Sequence, residues 1–286
     1  MELYSLPKHG EIDPTMLIAI FFPIFFGFML GDIGYGVVTL ALFMAMLKIM
    51  PAAKNLLKIM IISSVSTILF GVFFGEFFGY KTIFGFPLHS YLDRVEQKTL
   101  LLMVAIGIGV IHINVGLLAG FYNELRHHGL MKAILAKLSW LLLQAGVALI
   151  AINMLKIAQI PLYVSGAIIA VSIVMIAIGE GIKGILELPA IFGNILSYAR
   201  LMALGLAGVA LAEVINDLAG EMFHAGGFGI VAGVIVLVIG HTINMILGII
   251  GPFLHSMRLH YVEFFTKFYE GGGVPFQAFG SKSNGG

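Results

Sequence analysis

Ser197-Tyr198-Ala199-Arg200-Leu201-Met202-Ala203-Leu204-Gly205-Leu206-Ala207-Gly208 sets one permanent cation in an apolar run, and that cation decides how the chain is read. An arginine near the middle of a membrane helix costs roughly 2.5–3.5 kcal/mol even on the lenient insertion scale, and its guanidinium keeps its charge, so it must meet water or an anion. Within the apolar run 187–219, Arg200 lies about 13 residues, or roughly 20 Å, from the nearer end. That is too deep for easy snorkelling. Arg258, in Leu254-His255-Ser256-Met257-Arg258-Leu259-His260, poses the same problem again, and no carboxylate stands at helical spacing to neutralise either. The expected partner is therefore on another subunit.

Composition supports a membrane reading. The chain is 59% hydrophobic and 11% charged, with 36 glycines; this is far from soluble usage, and glycine enrichment suits close helix packing in lipid. Zero cysteines exclude disulfides, thiol chemistry and cysteine metal sites. A net charge of +1 with no basic block excludes a nucleic-acid partner. No glycine-rich nucleotide loop ending in Lys-Ser/Thr and no His-Glu-x-x-His zinc motif occurs, so the chain is not expected to hydrolyse ATP itself, and no cofactor or metal is expected.

Apolar runs of spanning length fall at about 14–30, 34–50, 56–79, 98–122, 132–155, 161–182, 187–219 and 227–265. The expected fold is an all-α membrane protein of eight transmembrane helices in one polytopic domain over 1–286. The first two helices meet at Gly31-Asp32-Ile33-Gly34, and a flexible glycine-rich tail follows from 271 to 286. The positive-inside rule places both termini in the cytoplasm. Lys8, Lys48, Lys54, Lys58, Arg126, Lys132, Lys137, Lys183, Lys267 and Lys282 then face inward against Lys81, Arg94, Lys98 and Lys156 outside. The last two runs would make helices of roughly 50 and 58 Å at 1.5 Å per residue, too long for a ~30 Å hydrocarbon core unless they tilt strongly or protrude.

Arg200 heads a stripe with Ala203, Ala207 and Ala210, a shallow face that lets a partner helix approach closely. Arg258 shares a face with His255. Glu187, Asn194 and Ser197, spaced at seven and three, fall on Arg200's side in the cytosolic half and form a candidate inner water path. Glu213, His241 and Asn244, with Glu76 and Asp32 from the early spans, form a candidate outer path. Each of these groups is equally readable as a polar side chain satisfied by a neighbour. Glu124, Glu180 and Lys183 read as solvated helix ends.

The run Ser-Tyr-Ala-Arg-Leu-Met-Ala-Leu at 197–204, the tail Leu-His-Ser-Met-Arg-Leu-His-Tyr-Val-Glu-Phe-Phe-Thr-Lys-Phe-Tyr-Glu-Gly-Gly-Gly at 254–273 and the segment Phe-Phe-Pro-Ile-Phe-Phe-Gly-Phe-Met-Leu-Gly-Asp-Ile-Gly-Tyr-Gly at 21–36 resemble, in this order, the membrane half of the rotary V/A-type ATPase stator. That subunit is called a in vacuolar enzymes and I in archaeal and bacterial ones. The family's large cytosolic N-terminal domain is absent from this sequence, which is therefore read as an isolated membrane domain or a truncated form. The vacuolar branch carries a histidine eight positions after its first arginine and a glutamate ten before its second. Here those positions are Gly208 and Gly248, so Glu213 and His241 are taken as substitutes. The departure points to the archaeal or bacterial branch and a cell-membrane location.

The resemblance implies a stator that forms two ion half-channels and presents Arg200, assisted by Arg258, to the carboxylates of a rotating proteolipid ring. Protons or sodium ions then cross as the ring turns, coupled to ATP synthesis or hydrolysis elsewhere. The peripheral and central-stalk-side subunits would be reached through the missing N-terminal domain. The alternative is a self-contained proton-coupled secondary transporter, whose charges pair within one chain around a midplane site; the two overlong final segments favour the ring.

Overall fold

The computed structural model describes residues 11–83, 85–154, 156, 158–159, 161–269 and 271–273, and the tail expected from 271 lies, after 273, outside them. Among the described residues the chain forms helices α1 (Thr15–Leu30), α2 (Ile33–Ile49), α3 (Lys54–Phe74), α4 (Lys98–His128), α5 (Leu130–Ala133), α6 (Ser139–Met154), α7 (Leu162–Leu196), α8 (Ala199–Ala225) and α9 (Phe228–Arg258). A two-residue antiparallel pair, β1 (Thr82–Ile83) with β2 (Phe86–Pro87), sits in the connection after α3. Among the described residues the fold is all-α apart from this hairpin.

Among the described residues five helical stretches are long and apolar enough to cross a membrane: Pro51–Phe74, Lys98–His128, Leu130–Met154, Leu162–Ala225 and Phe228–Lys267. α1 and α2 are apolar but shorter, at 16 and 17 residues, below the ~20 that a straight crossing needs. The helix expected without interruption over 187–219 is broken. At Ser197-Tyr198 the backbone tightens to i→i+3 bonds, Tyr198 N to Ile195 O at 3.1 Å and Leu201 N to Tyr198 O at 2.9 Å, before α8 begins. A second break, at Gly181 (φ 67, ψ −149), interrupts α7, in a conformation that only glycine adopts cheaply. Arg200 is thus the second residue of a helix, not the middle of one.

The chain divides into two compact units. The first comprises residues up to Met16, Ile113–Ala190 and the chain from Phe264. In it the segment after α9 threads along α4: Asn123 Nδ2 donates to Phe268 O at 3.0 Å, and a Cβ on Gly120 would stand 2.5 Å from Lys267 O. α5 passes through a π-helical turn, Ile134–Leu138, into α6. Trp140 Nε1 donates to Glu180 at 3.3 Å, and Lys137 reaches the same carboxylate at 3.7 Å. Glu180, expected to be solvated, is held internally.

The second unit comprises Leu17–His112 and Ile191–Glu263. α2 packs along α3 and α8 along α9, over a core that includes Phe22, Phe26, Leu30, Tyr35, Phe43, Leu57 and Met60. Asp32 starts α2: it has extended backbone and its Oδ1 accepts from Tyr35 N at 3.0 Å, which satisfies one of the amides a helix start leaves unpaired. A Cβ on Gly71 would lie 2.4 Å from Ile33 N, so only glycine lets α3 come that close beneath the turn.

Candidate functional site

The arginine face belongs to the second unit. On α8 the buried side is Leu201, Gly205, Val209 and Ala212, spaced at three and four, which leaves Ala203, Ala207 and Ala210 exposed beside Arg200. The small-residue stripe is therefore an open surface. Arg200 is half-buried, and its Nη1 is buried with no hydrogen-bond partner among the described residues. Arg258, exposed, is the last residue of α9. His255 lies within electrostatic reach of both guanidiniums.

The expectation that no carboxylate serves either arginine is corrected by a change of helix type. From Leu259 to Phe264 the chain is π-helical. In an α-helix, Glu263 would sit five residues past Arg258 and about 140° around the axis. With i→i+5 hydrogen bonding a residue five on comes back near the same face. Glu263 accordingly lies within electrostatic reach of Arg200 and Arg258. The Ser197 hydroxyl has one proton and two acceptors, the Gly193 carbonyl at 2.9 Å and the Glu263 carboxylate. Two guanidiniums facing one carboxylate leave this surface cationic and able to attract a further anion.

The candidate outer groups also lie in this unit, and His241 and Asn244 are interlocked. Asn244 Nδ2 donates to Tyr35 Oη at 2.9 Å and to Gly208 O at 3.0 Å. Tyr35 Oη lies 2.6 Å from His241 Nδ1, and His241 Nε2 lies 3.0 Å from Asn216 Oδ1. Asn216 Nδ2 donates to Phe78 O at 2.8 Å. Because that amide must donate to a carbonyl, its oxygen accepts from His241 Nε2–H, and Nδ1 accepts the tyrosine proton. The chain of donors then runs one way, through a neutral imidazole, and ends on a backbone carbonyl that cannot pass a proton on.

Asp32 and Glu76 have internal work. Besides capping α2, Asp32 accepts from Phe78 N at 3.0 Å and Gly79 N at 2.9 Å. Glu76 is buried against Arg94, whose Nε donates to Oε1 at 3.0 Å while Nη2 meets Oε2. Arg94 further donates to the carbonyls of Gly31 at 2.9 Å, Gly205 at 3.3 Å and Met29 at 3.4 Å, and lies 4.7 Å from the Phe74 ring centroid. These side chains line one wall of a pocket of about 360 Å³ whose other wall includes Ala207, Gly208, Gly248 and Gly251. Glu213, half-buried, is within electrostatic reach of Lys81.

The structure thus gathers Ser197, Arg200, His255 and Arg258 at one place, and His241 with Asn244 at another. Asn194 is half-buried in the last turns of α7. Glu187 belongs to the first unit, near Lys267 at a charged cleft of about 710 Å³ that Lys137, Lys183, Glu124 and Glu180 also line. Sequence reasoning missed Tyr35, Asn216, Glu263 and Arg94. Tyr35 and Asn216 were visible as polar groups in apolar runs; Arg94 was counted as an outer-loop charge.

A family model described as the V-type ATPase 116kDa subunit family matches residues 176–281. The A-type ATP synthase subunit I of Archaeoglobus fulgidus is 38% identical over 346 residues, covering 97% of this chain and 50% of the relative. That of Pyrococcus horikoshii is 38% identical over 299 residues, 98% of this chain and 45% of the relative. A bacterial relative, the V-type ATP synthase subunit I of Borreliella burgdorferi, is 27% identical over 292 residues, 92% of this chain and 48% of its own. The chain spans about half the length of the relatives it matches.

Proposed function

Because the chain belongs to the V-type ATPase 116kDa subunit family, with subunit I of archaeal and bacterial ATP synthases among its relatives, we propose that it is the membrane stator of a rotary ATPase and that Arg200 meets the carboxylates of a proteolipid ring. The observation that carries this reading is Arg200 itself, on an open stripe of small residues with one guanidinium nitrogen buried and no hydrogen-bond partner for it among the described residues.

A ring carboxylate brought within about 4–6 Å of Arg200 is favoured in its ionised form, by one to three pKa units, and so gives up its proton or sodium ion. Returning to lipid, it must be neutralised again and takes an ion from the other path. Arg258 keeps the surface cationic, and Glu263 holds the two guanidiniums together until a ring carboxylate competes for them. The inner path uses Asn194, Ser197 and Glu263, with Glu187 assigned to it by sequence spacing alone. The outer path is assigned Glu213, His241 and Asn244 as groups that line its water, because the hydrogen-bond chain of the last two ends on a backbone carbonyl, and the apolar pocket beside Gly208 and Gly248 gives the ring carboxylate room to approach. Asp32 and Glu76 hold the wall of that pocket. The protein sits in the cell membrane with both termini in the cytoplasm, and the rest of the rotary complex supplies ATP chemistry.

The test is ATP-driven ion uptake into vesicles reconstituted with the whole enzyme. Arg200→Ala and Arg200→Gln lose the discharging cation, and Arg200→Lys replaces a charge that cannot titrate with one that can. All three are expected to assemble and to lose uptake by at least about 100-fold, the scale for removing a charge that acts at the moment of transfer. Near-normal uptake by Arg200→Ala would make the arginine structural and end this reading.

A further inference from the structure

His112, on α4, is fully buried and touches both segments that carry the arginines. Its Nδ1 lies 2.6 Å from the Tyr198 hydroxyl, and Tyr198 stands two residues before Arg200. Its ring lies 4.9 Å from that of His260, at 66°, and His260 stands two residues after Arg258, inside the π-turn. His260 is itself fixed, since its Nδ1 donates to Ser256 O at 2.7 Å. Phe25 closes the cluster edge-on, 4.9 Å from His112 and 5.9 Å from Tyr198. One turn earlier on α4, a Cβ on Gly109 would stand 2.4 Å from Tyr198 Cγ, so the helix is bare where the tyrosine ring lies.

We propose that His112 is a positioning residue for ion transfer. One imidazole fixes the start of α8 through Tyr198 and the π-turn through His260, and so sets the spacing of Arg200 and Arg258. Direction matters here as well as packing. An apolar side chain of similar volume would fill the cavity, but only the hydrogen bond to Tyr198 holds the tightened turn at a defined rotation, and with it the guanidinium two residues on. Placement matters on this scale, because a misplacement of about 1 Å at a reacting group can cost 100-fold in rate.

This inference rests on the stator reading, and the experiment separates the two. In the reconstituted complex, His112→Leu removes both ring nitrogens at similar volume, and His112→Asn keeps a polar atom near the place of Nδ1. Tyr198→Phe removes only the hydroxyl. ATP-driven ion uptake is measured beside ATP hydrolysis and subunit composition. The expected result is a loss of uptake per ATP of about tenfold in His112→Leu and about fivefold in Tyr198→Phe, with recovery to within about twofold in His112→Asn and a double variant no worse than His112→Leu, as for two partners of one bond. Should His112→Leu fail to assemble, Tyr198→Phe carries the test. Normal coupling in His112→Leu or Tyr198→Phe overturns the proposal. So does equal failure of His112→Leu and His112→Asn, which would make ring shape the only requirement. If Arg200→Ala, measured alongside, pumps normally, the stator reading has failed; if it is inactive while the His112 variants are normal, only this inference has.

Discussion

Arg94 and Arg200 are guanidiniums in the same compact unit of a strongly apolar chain, and they are treated in opposite ways. Arg94 is bonded to a carboxylate and three backbone carbonyls and covered by a phenyl ring. Arg200 lies on an exposed stripe, with Glu263 shared between it and Arg258. A buried charge that is fully satisfied from within holds structure, because removing its partner strands an ion. A charge left short of partners is free to act on something that arrives. Composition cannot tell these two arginines apart; the number of acceptors that each side chain already holds can.

This contrast makes replacement of Arg94 the larger test of stability. Arg94→Ala leaves Glu76 buried and opens three carbonyls, and is expected to cost about 3–5 kcal/mol, read as loss of assembled subunit or a lower unfolding temperature in detergent, whereas Arg200→Ala should leave both unchanged. Equal stability of the two variants would dissolve the distinction. Replacing the pair together, Arg94→Met with Glu76→Leu, should recover most of the loss, because apolar groups of similar volume substitute for a buried ion pair at little cost. A double variant as unstable as Arg94→Ala would mean that the carbonyl bonds, not the pair, hold the site.

A smaller effect is expected at the shared carboxylate. Glu263→Gln keeps the shape of the π-turn but removes the charge between the two guanidiniums, and should lower coupled ion uptake by roughly three- to tenfold, the value of one ordinary hydrogen bond, without affecting assembly. Uptake at the unaltered rate would show that the two arginines need no resident anion.

The smallest effect lies outside the spans, at Lys81 and Asp93. Burial alone would raise the Asp93 carboxyl, but hydrogen bonds from Lys81 and from the amides of Glu96 and Val95 hold it below the ordinary aspartate range. Its contribution is therefore present above that range and is lost as pH falls through the lowered value. Since Lys81 is half-exposed, the pair should be worth less than about 1 kcal/mol and weaken with salt. Asp93→Asn should flatten the acid limb of unfolding temperature against pH; an unchanged limb would assign acid sensitivity to other carboxylates.

Much of the fold was legible because a bilayer imposes a simple rule: apolar runs near twenty residues become helices. Asp32 at the turn between the first two helices and the small-residue stripe beside Arg200 followed from local chemistry. What was not legible depended on departures from α-geometry. No periodicity reported the tightening at Ser197-Tyr198 that puts Arg200 at a helix start. Glu263 was passed over because helical spacing was counted at 3.6 residues per turn where the chain uses a wider one. Arg94 was misread since a loop charge and a buried charge look alike until the chain folds back over them, and His112 drew no notice because its partners lie 86 residues away and more in sequence.

The π-turn at Leu259–Phe264 also governs which changes of length this chain tolerates. A wide turn is an α-helix carrying one residue too many, so a single deletion between Arg258 and Glu263 would relax it to ordinary helix and leave the faces beyond it nearly where they were. A single insertion meets no such slack and would swing everything beyond by about 100°. Loops elsewhere absorb such events at their surface. Here the reading frame of the side chains is constrained in one direction only, and a homologue could lose one residue of the segment sooner than it could gain one.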